Sequence, residues 1–286
     1  MINSKIFLIV SIFLVGYCPK GTSQSDILNH NQKENNMEVI ETQIPSKHSE
    51  DIYFLQFDND LSYLKSGENF NLSFSPKYKY DTQKIVELET IHEQKIHLII
   101  VSEDLEYFNH LHPTKLINGS YSLQMSLPFG GKYKLYVEYK PEGSTKITDG
   151  FNIDAKGTEK PKMIFSSEEL FFNHNDISVS LKDPSEIYSS SELQLPISIM
   201  KDGKKISSDR LDNYLGEKAH AVMIGFDNME LLHVHPMVIN DMLYLHLNFE
   251  SSGLYRLWVQ FKVDGILHTA DFVLNVNESN HHQHKH

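Results

Sequence analysis

HLIIVSEDLEYFNHLHP (97–113) and HAVMIGFDNMELLHVHP (220–236) are one pattern written twice. Their apolar positions keep only their class, with Ile, Val, Met and Leu exchanging as core packing allows. Identity survives at His97/His220, Asp104/Asp227, His110/His233, His112/His235 and Pro113/Pro236. A core needs volume, so five positions that keep their side-chain type point to chemistry or to a fixed turn. The run from His97 to Ser102 is apolar for strand length, and a loop at 103–106 makes each copy a β-hairpin.

Around this hairpin the chain reads as short strands. NFNLSFS (69–75), SYSLQMSL (120–127), KYKLYVEY (132–139) and GFNID (150–154) are rich in β-branched and aromatic residues, and NG (118–119) and PEG (141–143) punctuate them. No segment sustains a helical period. Sliding the chain on itself by 123 residues, the step from His97 to His220, also lays NFNLSF over ELQLPI (192–197). With a one-residue deletion, GGKYKLYVEYKPEG (130–143) falls over SGLYRLWVQFKVDG (252–265). The expected fold is all-β: two tandem immunoglobulin/cupredoxin-like sandwiches over 50–155 and 160–277, joined near the charged Gly/Pro stretch AKGTEKPK (155–162).

The 286 residues are enough for two real cores, and 40% hydrophobic content suits a globular protein. A net charge of −12 with no basic, aromatic-interleaved stripe argues against nucleic acid as a partner. Residues 1–18 read as an export signal, with Lys5 ahead of an apolar run from Ile6 to Val15. That run is too short to span a bilayer comfortably. The sole cysteine, Cys18, ends LVGYC, which resembles a lipobox except for Tyr17, so membrane attachment through a lipid on Cys18 is expected. Residues 19–49 form a polar tether, and 278–286 a His-rich tail able to gather metal loosely.

The hairpin register decides what the histidines can do together. His110 and His112 lie two apart and share a strand face. If Ser102 pairs with Tyr107, His97 stands opposite His112, and the same arithmetic pairs His220 with His235. A one-residue slip would scatter each trio. His97, His110 and His112 are therefore expected to form one metal-capable cluster, and His220, His233 and His235 an independent one in the other domain. Three imidazoles with an open position suit copper or zinc. Affinity is expected to fall as pH drops through the histidine range near 6.5. The competing reading is a structural network that pins the chain where it leaves the sheet. Asp104 and Asp227 read as turn formers at the hairpin tip. Met229 and Met237 read as packing before soft ligands, while His246 and His268, without counterparts in the first copy, read as incidental.

YLGEKAHAVMIGFDNMELLHVHP (214–236) followed by SGLYRLWVQF resembles a group of exported bacterial proteins with a Tyr-Leu-Gly, His, His-x-His-Pro signature. In the first copy ETIHEQKIH (89–97) replaces the Tyr-Leu-Gly entry. The resemblance implies an envelope β-sandwich that handles copper or other heavy metals. The expected function is thus a lipid-anchored envelope protein that binds copper or zinc, with no organic cofactor. The alternatives are an interaction or adhesion scaffold with structural histidines and, third, a zinc-dependent hydrolase. Against an enzyme stands the lack of a recognisable nucleophile, phosphate loop or paired acid/base carboxylates near the clusters.

Overall fold

A computed structural model describes residues 52–182 and 187–279. The expected signal with Cys18, the tether 19–49 and the tail histidines lie outside the described residues. The first repeat comprises β1 (Tyr53–Phe57), β2 (Phe70–Tyr78), β3 (Ile96–Ser102), β4 (Phe108–Leu111), β5 (Thr114–Lys115), β6 (Tyr121–Met125), β7 (Gly131–Tyr139) and β8 (Ile147–Ala155). Two antiparallel sheets, β1-β2-β6-β5 and β4-β3-β7-β8, face each other. With the strands lettered in chain order as A, B, C, C′, D, E, F and G, the sheets read A-B-E-D and C′-C-F-G, the immunoglobulin-type Greek key.

The second repeat follows the same plan. Its strands are β9 (Phe171–His174), β10 (Ile177–Leu181), β11 (Ile187–Tyr188), β12 (Glu192–Lys201), β13 (Lys204–Ile206), β14 (Ala219–Gly225), β15 (Leu231–Val234), β16 (Met237–Ile239), β17 (Met242–Asn248), β18 (Gly253–Val263) and β19 (Ile266–Asn277). The sheets are β16-β17-β12-β10-β9, with β13 paired to β12, and β11-β19-β18-β14-β15. Among the described residues the only helical element is a 3-10 turn at Ser208–Arg210.

Each repeat buries its own core between its sheets. Leu72, Phe74, Leu98, Ile100, Leu135 and Val137 belong to the first, and Leu195, Ile197, Ala221, Met223, Leu257 and Val259 to the second. A third apolar cluster joins the repeats: Ile99, Val101, Leu105, Tyr136, Val222, Ile224 and Trp258. The C′-C-F-G sheets of the two repeats pack on each other through their outer faces. All seven residues of β3 and all seven of β14 are consequently buried. This double burial explains the continuous apolar runs, where a half-exposed antiparallel strand would alternate. At the centre Phe108 stacks on Trp258, centroids 4.5 Å apart and planes 11° apart. Such a pair contributes about 0.5–1.5 kcal/mol beyond the area it buries.

The stretch joining the repeats is pinned rather than free. Lys156 N–H donates to Leu64 O (2.8 Å), Gly130 N–H donates to Thr158 O (2.9 Å), and Met163 N–H donates to the Asp104 carboxylate (3.0 Å). Phe165 then lies 4.2 Å beneath the Arg256 guanidinium, against the inter-repeat face.

Candidate metal centre

The hairpins fold in the register that gathers each trio. Leu98 pairs with Leu111 and Ile99 with His110, and Ser102 N–H donates to Tyr107 O (3.1 Å), so His97 and His112 stand opposite. In the second copy Ala221 pairs with Val234 and Val222 with His233, which brings His220 opposite His235. His97, His110 and His220 are buried, and the His233 side chain is 2% exposed. His112 and His235 follow the ends of β4 and β15 and are half-buried.

The expectation of two independent clusters in separate domains is corrected. Both trios project from the outer faces of the two C′-C-F-G sheets, and because those faces pack together, the six rings form one cluster. Within the first trio His97 Nδ1 lies 3.1 Å from His110 Nε2 and 3.3 Å from His112 Nε2. Across the repeats the His233 ring centroid lies 5.2 Å from that of His97 and 5.1 Å from that of His110. Ligand atoms of His97, His110 and His233 fall within 4.8 Å of one another, as do those of His220, His233 and His235. The trios are related by pseudo-symmetry: His97–His112 centroids are 5.0 Å apart at 85°, and His220–His235 centroids 4.7 Å apart at 86°.

The outward nitrogen of each ring has a fixed partner where the sequence repeat puts one. His97 Nε2 bonds Ile91 O (3.0 Å) and His220 Nε2 bonds Tyr214 O (2.9 Å). Both carbonyls open a tight turn whose two central residues are left-handed: His92 and Glu93 at φ 46° and 64°, Leu215 and Gly216 at φ 53° and 80°. The first copy's ETIHEQ thus builds the turn that Tyr-Leu-Gly-Glu builds in the second. His110 Nδ1 bonds the Gln260 side-chain oxygen (3.0 Å), and His233 Nδ1 bonds the Glu138 carboxylate. Gln260 lies across from His220 on β18, and Glu138 across from His97 on β7. Each of these two histidines is therefore oriented by a residue of the other repeat.

These bonds assign the protons. A ring nitrogen facing a carbonyl or carboxylate oxygen must carry the hydrogen, so its opposite nitrogen is a bare lone pair. His97 Nδ1 and His110 Nε2 are both bare, yet stand 3.1 Å apart. Their counterparts His220 Nδ1 and His233 Nε2, with His235 Nε2, are buried without any hydrogen-bond partner. Two nitrogens bound about 2.05 Å from a shared tetrahedral ion would stand about 3.3 Å apart.

Burial keeps the rings of His97, His110, His112, His220 and His235 neutral. Burial, reinforced by neighbouring histidines, pushes His97 and His220 down to about 4, His112 to about 3 and His235 to about 2, and holds His110 well below the usual range. Desolvation thus moves proton uptake by these rings well below the ordinary histidine range near 6.5. Burial raises Glu138, but its hydrogen bond to His233 and the nearby positive charge outweigh that and hold it below the carboxylate range. Lys146 (2.9 Å) and Thr148 Oγ1 (3.2 Å) donate to its other oxygen.

Glu138, Gln260 and His92 were missed in the sequence. Glu138 and Gln260 occupy matched places in KYKLYVEY and LYRLWVQF, where a polar residue in an alternating strand reads as solvent-facing. His92 lies in the segment that lacks Tyr-Leu-Gly; its ring centroid is 3.6 Å from that of His235. Asp104 does shape the hairpin tip, accepting from Ser102 Oγ (2.5 Å) and Glu106 N–H (3.3 Å). In the second copy the matching bond, to Glu230 N–H (2.9 Å), comes from Asn228, one residue past Asp227. Met229 packs in the inter-repeat apolar cluster, Met237 lies exposed on β16, and His268 stacks on Phe261.

No helix among the described residues is long and apolar enough to cross a membrane. Several solved structures match the chain at low identity. A tetra-tandem repeat from the extending region of a large adhesion protein shares 12% identity, covering 79% of this chain and 49% of that one, with a TM-score of 0.25. A two-domain fibronectin type III segment from chicken tenascin shares 12% identity over 78% of this chain and 97% of that one, at a TM-score of 0.22. Domains 4–9 of the surface layer protein SbsC share 11% identity over 79% and 31%, at 0.23. The chain thus spans about half the length of the adhesion-protein structure. No curated protein matches the sequence. The family DUF8832, a domain of unknown function, matches twice, at residues 49–157 and 173–278, on the two sandwiches that carry the paired histidine sets, and the chain belongs to that family.

Proposed function

We propose that this protein binds a transition metal, copper or zinc, in one centre assembled between its two repeats. The observation that carries the reading is the set of bare imidazole nitrogens turned toward one another. Two lone pairs 3.1 Å apart repel unless something positive lies between them. A proton there would make an imidazolium, which burial disfavours at His97 and His110. A divalent ion satisfies both, and neutral imidazole suits Cu(II) and Zn(II). The anchoring of four rings by carbonyl, amide and carboxylate oxygens is the kind of outer shell that metal-binding histidines require.

The test uses the full-length chain with His281, His282, His284 and His286 changed to Ser, so that the tail cannot answer for the fold. After loading with Cu(II) or Zn(II) and removal of free ion, the protein should retain metal. His97→Ala combined with His220→Ala should abolish retention while the β-sheet circular dichroism persists. Absence of retained metal in the parent would return the histidines to a structural role in an interaction scaffold.

We further propose that the protein is exported and held at a membrane by a lipid on Cys18, which the LVGYC sequence supports. Cys18→Ser should release it from the membrane fraction, and a variant that stays bound would argue for an uncleaved anchor.

A further inference from the structure

We propose that the two three-His sets hold two ions side by side in one dinuclear centre, closed by a small bridging anion that enters beneath Lys146 and His92. This rests on the metal reading above and specifies its nuclearity and its exogenous ligand. The ligand nitrogens of His220, His233 and His235 fall within 4.8 Å of one another, and in the first set His97 Nδ1 lies 3.1 and 3.3 Å from the Nε2 atoms of His110 and His112, so each set can supply up to three positions of a four-coordinate ion and leave a fourth open. The sets are also close enough to share that fourth ligand. His233 groups with His220 and His235, yet a ligand atom of its ring lies within 4.8 Å of those of His97 and His110.

The space for a shared ligand is present. A cavity of about 120 Å³ touches both sets, lined by His97 from the first and by His233 and His235 from the second, together with His92, Glu138 and Lys146. At about 30 Å³ per water it has room for about four water-sized groups. It shares Ile91, His92 and Lys146 with a larger cleft of about 660 Å³ at the surface. Lys146, 45% exposed, and His92 therefore stand between solvent and the centre.

Charge selects the class of ligand. Two divalent ions bring four positive charges, while the six imidazoles bring none. Glu138 supplies one negative charge, and Lys146 already offsets it at 2.9 Å. Buried charge of that size requires compensation, so the open positions favour an anion such as hydroxide or a halide over a neutral ligand. The repeats are unequal here: where the first carries Glu138 and Lys146, the second carries Gln260 and His268. The cationic approach therefore lies on one side.

The experiment adds Cu(II) stepwise to the full-length chain with its tail histidines changed to Ser, measuring retained copper by mass spectrometry and unpaired spins by electron paramagnetic resonance. Retention should reach about two ions per chain, one for each three-His set. The signal gained with the first ion should collapse as the second binds, because bridged Cu(II) ions pair their spins. Sodium azide, as the probe anion, should produce a new charge-transfer band. Lys146→Met, at a half-exposed side chain, should leave copper retention at about two per chain and weaken azide binding about tenfold through loss of the nearby positive charge. One copper per chain, or two with a full spin count, overturns the dinuclear centre. Azide binding equal in parent and Lys146→Met overturns the proposed entry. No retained copper at all overturns the metal reading itself, and this proposal with it.

Discussion

At the scale of single residues, Glu138 and Gln260 separate the two halves of the site most sharply. They occupy matched positions, yet only Glu138 brings a charge to the histidine it holds. A carboxylate raises the basicity of a ligating imidazole more than an amide does, and loss of such an outer partner typically lowers metal affinity about 10–100-fold. Glu138→Gln should do so in a competition titration against a chelator of known affinity, whereas an unchanged affinity would show that the carboxylate serves only packing. The histidines also make the metal-free protein sensitive to acid. Their folded pKa values are depressed by burial, to about 4 for His97 and His220 and about 3 for His112. Unfolded rings titrate near 6.5. Between those values the unfolded chain binds protons that the folded chain refuses, so stability is fully present above about 6.5 and falls as pH drops toward about 4. Urea midpoints of metal-free protein at pH 7.5 and pH 5 should differ in that direction, and by less in the His97→Ala, His220→Ala variant. Six of the clustered histidines were legible because both copies keep them. Glu138 was not, because the repeat comparison rewards identity and this position differs.

At the scale of elements, the hairpin register was legible because period-two geometry left one pairing that put three imidazoles on a face. The turn before each central strand was not. IHEQ and YLGE share no residue at any of their four positions, yet both close the same bridge, Ile91 to Gln94 and Tyr214 to Glu217. Backbone conformation, rather than side-chain type, is what the turn retains, and its purpose is to aim one carbonyl at His97 or His220. Gly216 sits at φ 80°, where a β-carbon would also meet Glu93 Cγ at 3.4 Å. Gly216→Val should therefore cost roughly 1–3 kcal/mol, the price of a left-handed non-glycine residue. Chemical denaturation measures that cost directly. Because the same turn orients His220, metal affinity should fall with it. A variant as stable as the parent would mean that the turn relaxes without strain.

At the scale of the whole molecule, the duplication was legible and its consequence was not. Aligning two copies finds equivalent positions, whereas the site arises from contact between them, and a strand apolar on both faces reads the same whether its second face meets a helix, a sheet or another repeat. Tyr136, Glu138, Trp258 and Gln260 all lie on that second face. The inter-repeat cluster built on Ile99, Val101, Val222, Ile224 and Trp258 is wholly apolar and buried, so the sandwiches should unfold together. Metal-free protein should show one calorimetric transition, its van 't Hoff and calorimetric enthalpies agreeing. Trp258→Ala removes the ring that stacks on Phe108 and should cost about 3–5 kcal/mol. That loss falls on the contact between repeats, so the transition should split in two. Copper affinity should drop in the same variant although Trp258 touches no ligand, since one ring of each trio, His110 and His233, is oriented by a residue of the other repeat. If the variant melts in two steps yet binds copper as tightly as the parent, each trio is sufficient alone and the shared centre is wrong.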